Sequence, residues 1–262
     1  MAEAAAIGSA AAQEGEGIMA TFILVPGAMH PAWCWHRIVP LLEQGGHRAI
    51  AIDLPGTGED RSIDRRDATL AIWADHVADQ VRRAEGPVLL TGHSRGGLVI
   101  SETAERVPDE LTALIYVTAI LPVTGEPLTE SREARTNMTP QIDADGCMIF
   151  PADMATHHFY NRCSADDVAA MFARLFPEPM APLSTPPTIT PGRWGRVPRA
   201  FIECSDDNAL TLAYQRSMQA AAPCDPVITL DADHSPFLCA PEALADAMLR
   251  IAEHFVPAGA TV

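Results

Sequence analysis

The stretch Thr91–Gly97, with the sequence TGHSRGG, lies between the apolar runs Val88–Leu90 and Leu98–Ile100. Its central G-x-S-x-G pattern is typical of a serine exposed on a sharp turn from a strand into a helix. Glycines two positions before and after Ser94 allow the strand and the helix to approach closely. A serine hydroxyl is a poor nucleophile unless a neighbouring base takes its proton. We therefore interpret Ser94 as a candidate nucleophile and expect a histidine and an acid elsewhere in the chain.

Short β-rich apolar segments alternate with segments of helical periodicity along most of the chain. This alternation predicts an α/β fold with a mainly parallel sheet flanked by helices. The predicted strands are Thr21–Val25, Arg48–Asp53, Pro87–Thr91, Leu111–Thr118, Arg199–Cys204 and Val227–Leu230. Helical spacing places two sets of apolar residues on faces that should lie against the sheet. These sets are Leu70, Trp73, Val77 and Val81, and Leu244, Met248, Ile251 and Phe255.

A chain of 262 residues is long enough for one domain with a large core. Residues 1–18 are rich in Ala, Gly and Glu and lack the basic and apolar regions of a secretion signal. We interpret residues 1–18 as a flexible tail and residues 19–262 as the folded domain. From about 122 to 196 prolines are frequent and only Ala165–Phe176 has a convincing helical pattern. Structureless loops of that length are uncommon in compact domains, so we predict an inserted cap there.

Two later segments supply the expected partners of the serine in the order Ser, acid, His. The predicted strand Phe201–Cys204 runs into a segment that contains Asp206 and Asp207, and the strand Val227–Leu230 runs into one that ends at His234. In a hydrolytic triad the histidine takes the serine proton and the acid orients the histidine. The residues predict His234 as the base, and their spacing leaves Asp206 and Asp207 open as the acid.

The oxyanion formed during acyl transfer needs backbone N–H donors beside the nucleophile. The usual pair is the residue after the nucleophile, here Arg95, and a residue in the loop after an early strand, here Ala28. Only the N–H group of Arg95 is required for this role. We expect its side chain to be a solvated charge or to pair with an acidic neighbour, as surface arginines commonly do. The alternative is that it reaches the cap or a substrate carboxylate.

The charge and the cysteines restrict the class of partner and the compartment. A formal net charge of −16 argues against non-specific nucleic-acid binding, which requires clustered Lys and Arg. No apolar run approaches the length of a membrane helix. The six cysteines form no CxxC pair and no regular disulfide or zinc spacing, which favours reduced thiols in a cytoplasmic protein. The sequence leaves the oligomeric state open.

Several stretches together resemble the α/β-hydrolase fold esterases of the plant methylesterase and hydroxynitrile lyase group, which has bacterial relatives. They are FILVPGAMHPAWCWHRIVPLLEQGGHRAIAIDLPGTG, TGHSRGGLVI, YNRCSADDVAAMFARLFPEPMAPL, VPRAFIECSDDNAL and DADHSPFL. The resemblance covers nearly everything after Met19 and implies an α/β-hydrolase fold. It also implies Asp207 as the acid, His234 as the base and Ala28 as the first oxyanion donor.

Lyases of this group are similar in fold but carry a threonine in the oxyanion loop and a lysine directly after the catalytic histidine. This chain has Gly27 and Ser235 at those positions. The resemblance therefore implies hydrolysis of a small-molecule carboxylic ester, without a cofactor. Lactone hydrolysis and lyase-type carbon–carbon cleavage on the same site are the alternatives. A non-catalytic ligand receptor is a third hypothesis, which the complete set of triad residues disfavours.

Apolar and aromatic residues near these motifs are candidates for an acyl or alcohol pocket under the cap. They are Met29, His30, Phe159, Phe172, Trp194 and Phe237. Two groups resemble metal ligands, namely Asp231 with Asp233 and His234, and Asp153 with His157 and His158. Neither has a second cluster that would complete a coordination set, so we predict no metal site.

Overall fold

The computed structural model describes residues 18–122 and 138–257. Its main sheet has six strands, all parallel, in the order β2-β1-β3-β4-β8-β9. The strands are β1 Thr21–Val25, β2 Arg48–Ala51, β3 Val88–His93, β4 Ala113–Val117, β8 Arg199–Cys204 and β9 Val227–Leu230. All six predicted strands are present, and β1, β8 and β9 have the predicted bounds. The parallel sheet confirms the predicted α/β class.

Helices cover both faces of this sheet. Their bounds are α1 Ile38–Gln44, α2 Leu70–Arg83, α3 Gly96–Arg106, α4 Ala152–Phe159, α5 Ala165–Phe172, α6 Ala181–Ser184, α7 Leu212–Ala221, α8 Pro236–Cys239 and α9 Pro241–Phe255. The predicted apolar faces of α2 and α9 are buried, apart from Phe255, which is partly buried. None of the helices in the described ranges is both long and apolar enough to cross a bilayer.

The sheet separates two apolar clusters. Side chains of a strand alternate between its faces, so Phe22 and Leu24 of β1 join one cluster and Ile23 and Val25 join the other. The first cluster contains the apolar faces of α1 and α9, and the second contains those of α2 and α3. Every residue of β1 is buried, as expected for a central strand of a parallel sheet that is covered on both faces.

Residues 123–137 of the predicted cap lie outside the described ranges. The remainder, residues 138–196, precedes β8 and is called the cap segment; it contains more than the single helix that we predicted there. It contains α4, α5 and α6 and a small antiparallel sheet in the order β5-β6-β7, with β5 Gln141–Ile142, β6 Cys147–Ile149 and β7 Glu178–Pro179. α5 starts at Ala165 as predicted and ends at Phe172. Two-residue strands carry no readable alternation, so sequence periodicity does not detect them.

Residues 1–17 of the predicted flexible tail lie outside the described ranges. Ile18, which we assigned to the tail, is partly buried and packs against the first apolar cluster.

Candidate active site

Ser94 lies on a tight turn between β3 and α3. Its φ of 50° is in the left-handed region, which non-glycine residues rarely adopt. The neighbouring glycines make this turn sterically possible. A Cβ atom on Gly92 would lie 2.6 Å from the carbonyl oxygen of Gly96, and one on Gly97 would lie 2.1 Å from that of Ile120. The strand and the helix therefore approach as the G-x-S-x-G pattern predicts.

The structure brings the three predicted triad residues into one hydrogen-bonded line. Nε2 of His234 lies 2.9 Å from Oγ of Ser94, and Nδ1 of His234 lies 2.7 Å from Oδ2 of Asp207. Asp207 follows β8 and His234 follows β9, at the carboxyl ends of neighbouring parallel strands. His234 and Asp207 are both buried. This arrangement allows a proton to pass from the serine hydroxyl to an imidazole oriented by a carboxylate.

The choice between the two neighbouring acids follows from their environments. Asp206 is exposed and contacts Asn161 and Arg162 of the cap segment. The Asp207 carboxylate is buried, and its Oδ1 accepts hydrogen bonds from the backbone N–H groups of Ala209 and Leu210 at 2.7 and 2.8 Å. These bonds orient Oδ2 toward His234, so Asp207 rather than Asp206 faces the histidine.

Thr118 is a contact of this line that the sequence analysis missed. Its hydroxyl donates a hydrogen bond to Oδ2 of Asp207, the oxygen that faces His234. Thr118 is fully buried and follows β4, the strand that pairs with β8. A signal was available, because Thr118 ends a predicted strand and parallel strands end at a common edge.

The two predicted oxyanion donors are the backbone N–H groups of Ala28 and Arg95. Within residues 18–122 and 138–257, neither group has a hydrogen-bond partner. The loop that contains Ala28 packs directly on the nucleophile turn, since a Cβ atom on Gly27 would lie 3.0 Å from the Cβ of Ser94. Two unpaired backbone donors beside a nucleophile are what a developing oxyanion requires.

The side chain of Arg95 contradicts our expectation of a solvated charge. It is only 2% exposed and forms an ion pair of 2.8 Å with Glu178 of the cap strand β7. Its Nη2 donates to the carbonyl oxygen of Gly27 at 3.0 Å, and the guanidinium lies over the ring of Trp73. Burial lowers the pKa of Arg95 and raises the pKa of Glu178, while the charge of each partner opposes the effect on the other. The structure instead agrees with the alternative that the side chain reaches the cap, where the buried Glu178 is its acidic partner.

Two buried histidines support the loop and the base. His30 places Nδ1 2.7 Å from the carbonyl oxygen of Ala28 and Nε2 2.7 Å from the Tyr160 hydroxyl. His93 places Nε2 2.7 Å from the carbonyl oxygen of His234. Desolvation lowers the pKa of His30 to about 4 and lowers the pKa of His93 well below its ordinary value. Both rings are therefore neutral near pH 7, each donating one ring N–H to a carbonyl oxygen.

Most of the predicted pocket residues lie around the triad line. The ring centroid of Phe159 is 5.5 Å from that of His234, and Phe237 is 5.0 Å from His93 and 5.7 Å from His30. Met29 belongs to the same buried cluster. Phe172 lies farther out, with its ring 5.8 Å from Tyr160.

Trp194 does not belong to this group, which corrects its assignment to the pocket. Its indole N–H donates to the Tyr116 hydroxyl at 3.0 Å, and its ring packs under the guanidinium of Arg199. It belongs to the second apolar cluster, on the α2 and α3 side of the sheet. A buried indole needs an acceptor for its N–H, and Tyr116 provides one there.

A depression of about 870 Å³ lies between α4 and α5 of the cap segment. Tyr160 and Phe172 line it, whereas no residue of the triad line does. Tyr160 connects the two regions, because its hydroxyl contacts His30 of the loop beside Ser94.

One group of metal-ligating side chains occurs among the described residues, and it is not one that the sequence suggested. Cys163, Asp233 and Cys239 place their ligand atoms within 4.8 Å of one another. The Asp233 carboxylate already accepts the backbone N–H groups of Arg162 and Ser235, each at 2.8 Å, in addition to the two thiols. These four hydrogen bonds stabilise the Asp233 carboxylate in its buried position. Asp231 points away and pairs with the side chain of Arg162.

The chain has clear relatives among known proteins. Residues 22–247 match the Alpha/beta hydrolase family. The chain is 31% identical to Methylesterase 2 of Arabidopsis thaliana over 253 residues, covering 89% of this chain and 96% of the relative. It is 34% identical to a pyrethroid hydrolase of Sphingobium wenxiniae over 251 residues, covering 88% and 87%.

Solved structures agree with this relationship. A crystal structure of a pyrethroid hydrolase superposes with a TM-score of 0.76 at 31% identity, covering 90% of this chain and 98% of that one. Polyneuridine aldehyde esterase superposes with a TM-score of 0.78 at 22% identity, covering 89% and 99%, and at that identity supports the fold alone. The protein whose parallel sheet places Ser94 beside His234 is therefore a member of the alpha/beta hydrolase family.

Proposed function

We propose that this protein is a serine-dependent carboxylic ester hydrolase that acts through an acyl-enzyme intermediate. The observation that carries the proposal is the line of hydrogen-bonding distances from Ser94 Oγ through His234 to Asp207. The names of the relatives add support, since methylesterases and a pyrethroid hydrolase cleave carboxylic esters. The chemistry requires no cofactor.

In the proposed mechanism, Ser94 Oγ attacks the ester carbonyl carbon while His234 Nε2 takes its proton. Asp207 holds the imidazole in the tautomer with Nδ1 protonated and stabilises the positive ring. The N–H groups of Ala28 and Arg95 stabilise the oxyanion, and His234 then gives the proton to the leaving alcohol. Water activated by His234 hydrolyses the acyl-enzyme and restores Ser94.

The proposed substrates are small or aromatic esters. Phe159 and Phe237 present aromatic rings near His234 and His93, and aromatic walls favour flat or apolar groups. The free state of all six cysteines fits a reducing compartment, so we place the protein in the cytoplasm.

Lyase chemistry is the runner-up, and the position after His234 disfavours it. Ser235 there is fully buried and carries no charge that could hold a leaving cyanide. The nearby cation Arg95 is already paired with Glu178. Lactone hydrolysis would use the same groups as ester hydrolysis and differs only in the ring form of the substrate.

A panel of esters that varies the acyl and alcohol groups independently tests the proposal. Wild type should hydrolyse short-chain or aromatic-alcohol esters, and Ser94→Ala should lose at least about 10³-fold in kcat. Ser62→Ala, an exposed serine outside the site, is the matched control and should retain full activity. Equal rates for wild type and Ser94→Ala would contradict the proposal. Release of cyanide from mandelonitrile without ester hydrolysis would favour the lyase, and tight ligand binding without turnover would favour a receptor.

A further inference from the structure

The cap segment binds the loop beside Ser94 through both backbone polar groups of Met29, in addition to the contact between Tyr160 and His30. The Glu178 carboxylate on β7 accepts the backbone N–H of Met29 at 2.7 Å. Two residues earlier in the cap, the N–H of Phe176 donates to the Met29 carbonyl oxygen at 3.2 Å. Both backbone polar groups of Met29 are therefore held by the cap segment. Glu178 itself is fully buried, so its carboxylate is not shared with solvent.

Met29 needs such support because of its backbone conformation. Its φ of 62° is in the left-handed region, where a side chain is unfavourable. Residues with this kind of strain persist only where their surroundings hold them. The bonds from Glu178 and Phe176 provide that restraint.

Arg95 holds the same loop one peptide earlier. Its Nη2 donates to the carbonyl oxygen of Gly27 at 3.0 Å. That carbonyl belongs to the same peptide group as the N–H of Ala28. Because a peptide group is planar and trans, fixing the direction of its C=O also fixes the opposite direction of its N–H. Arg95 therefore restrains the orientation of the proposed oxyanion donor.

The next peptide group is fixed at both ends in the same way. Its carbonyl, on Ala28, faces Nδ1 of His30, and its N–H, on Met29, binds Glu178. The ion pair of 2.8 Å between Arg95 and Glu178 joins the two restraints into one unit. The N–H of Ala28 is the group between them that has no partner in the described ranges.

We propose that the Arg95–Glu178 pair positions the Ala28 N–H for oxyanion binding and thereby makes the oxyanion site dependent on docking of the cap segment. Both are positioning residues, because they act through the loop and not on the substrate. The inference rests on the proposed esterase function. Two simpler roles are alternatives to positioning. In the first, the ion pair only holds the cap segment to the core; in the second, the Arg95 side chain binds a substrate carboxylate.

Neutral double variants separate these roles, because a single substitution would leave an unpaired buried charge and strongly destabilise the fold. Arg95→Leu/Glu178→Leu removes both restraints. Arg95→Leu/Glu178→Gln removes the charges but leaves an amide oxygen that can accept the Met29 N–H. For each variant, the kcat and KM of ester hydrolysis and the affinity for phenylboronic acid are measured. A boronic acid forms a tetrahedral adduct with a catalytic serine and so reports on the oxyanion site.

The chain offers a matched control pair. Glu102 is also buried, accepts the backbone N–H of cap residue Thr188 at 2.7 Å, and lies 3.0 Å from Nη1 of Arg106. Glu102 holds the cap segment to α3, and among the described residues it forms no hydrogen bond or ion pair with the loop that contains Ala28. The control variants therefore remove a buried contact between the cap segment and the core without affecting the loop that contains Ala28. They are Arg106→Leu/Glu102→Leu and Arg106→Leu/Glu102→Gln.

We expect Arg95→Leu/Glu178→Leu to lower kcat about 10- to 100-fold while KM stays within about threefold of wild type. The affinity for phenylboronic acid should fall by a factor similar to that of kcat. The Gln variant should recover several-fold of the lost kcat, and the control pairs should stay within about twofold of wild type. The proposal is wrong if the folded Leu variant keeps wild-type kcat, if only KM rises, or if the control pair loses as much. If the Leu variant does not fold, the Gln variant against its control decides by the same criteria.

The two proposals fail separately. Activity that is independent of Ser94 would overturn the esterase mechanism itself. Activity that requires Ser94 but is unchanged in the Arg95 and Glu178 double variants would overturn only the positioning role.

Discussion

The hydroxyl of Thr118 donates a hydrogen bond to Oδ2 of Asp207, the same oxygen that lies 2.7 Å from His234 Nδ1. The Asp207 carboxylate thus accepts from Thr118 and His234 on one oxygen and from two backbone N–H groups on the other. These four contacts hold the carboxylate in the orientation that faces His234. The orientation of the Asp207 carboxylate therefore depends on residues that follow three neighbouring strands, namely Thr118 after β4, Asp207 after β8 and His234 after β9.

Removing the Thr118 donor should weaken catalysis moderately. Thr118→Val keeps the shape of the side chain, and we expect kcat to fall about 3- to 10-fold, in line with the roughly 0.5–1.5 kcal/mol that a typical hydrogen bond contributes. Thr118→Ser retains the hydroxyl and is the matched control. Steady-state kinetics on the best ester measures both. Equal kcat for the valine and serine variants would show that Thr118 has no such role.

The two neighbouring acids should differ greatly in their effect on activity. Asp207→Asn leaves the size of the side chain unchanged but offers His234 an amide, which disturbs the tautomer, so kcat should fall by about 10⁴-fold. Asp206→Asn alters an exposed side chain and should leave kcat within about twofold. A larger loss in Asp206→Asn than in Asp207→Asn would reverse our assignment of the acid.

The close approach of α3 to the sheet predicts a strict requirement for glycine at position 97. In Gly97→Ala the new Cβ would lie 2.1 Å from the carbonyl oxygen of Ile120, so the helix must shift. We expect a loss of about 1–3 kcal/mol in the free energy of unfolding, together with reduced kcat, because Ser94 lies on the same turn. Gly192→Ala meets nothing within 4 Å and should change stability by less than about 0.5 kcal/mol. Urea unfolding of both variants measures the difference.

Burial of His30 should make the protein less stable in mild acid. Its pKa is lowered from 6.5 to about 4, chiefly by desolvation, so between these values the unfolded chain binds a proton that the folded chain does not. The stability from this group is complete above pH 6.5 and decreases as the pH falls toward 4, by about 2 kcal/mol at pH 5.

Urea unfolding at pH 7 and pH 5 tests this dependence. His30→Gln should show a smaller loss between the two pH values than wild type, since Gln does not titrate. His254→Gln changes an exposed histidine and should behave as wild type does. The same loss in His30→Gln as in wild type would exclude His30 as the cause.

Local sequence patterns predicted the strands of the main sheet and the turn at Ser94. The bounds of β1 and β9 and the turn at Ser94 follow from residues within a few positions of one another, which hydrophobic alternation and glycine placement report directly. The proximity of His234 to Ser94 also followed, because parallel strands end at one edge of the sheet.

The cap segment and its contacts could not be predicted in this way. The ion pair between Arg95 and Glu178 depends on how a segment of short strands folds back onto the turn, which no local period encodes. Trp194 was misplaced for the same reason, since its position is decided by the distant hydroxyl of Tyr116. Local patterns left Asp206 and Asp207 open because the two residues are adjacent and chemically identical. The resemblance favours Asp207, and the contact of its carboxylate with His234 supports that prediction.

Rapid mixing with an excess of a p-nitrophenyl ester, followed by quenching and intact-mass and peptide-mass analysis, tests the central claim most directly. Wild type should acquire one acyl group per chain, on the peptide that contains Ser94, with a burst of nitrophenol where deacylation is slower than acylation. Ser94→Ala should acquire none and should not turn over. Hydrolysis by Ser94→Ala at the wild-type rate, or an acyl group on another residue whose replacement abolishes turnover, would contradict the account.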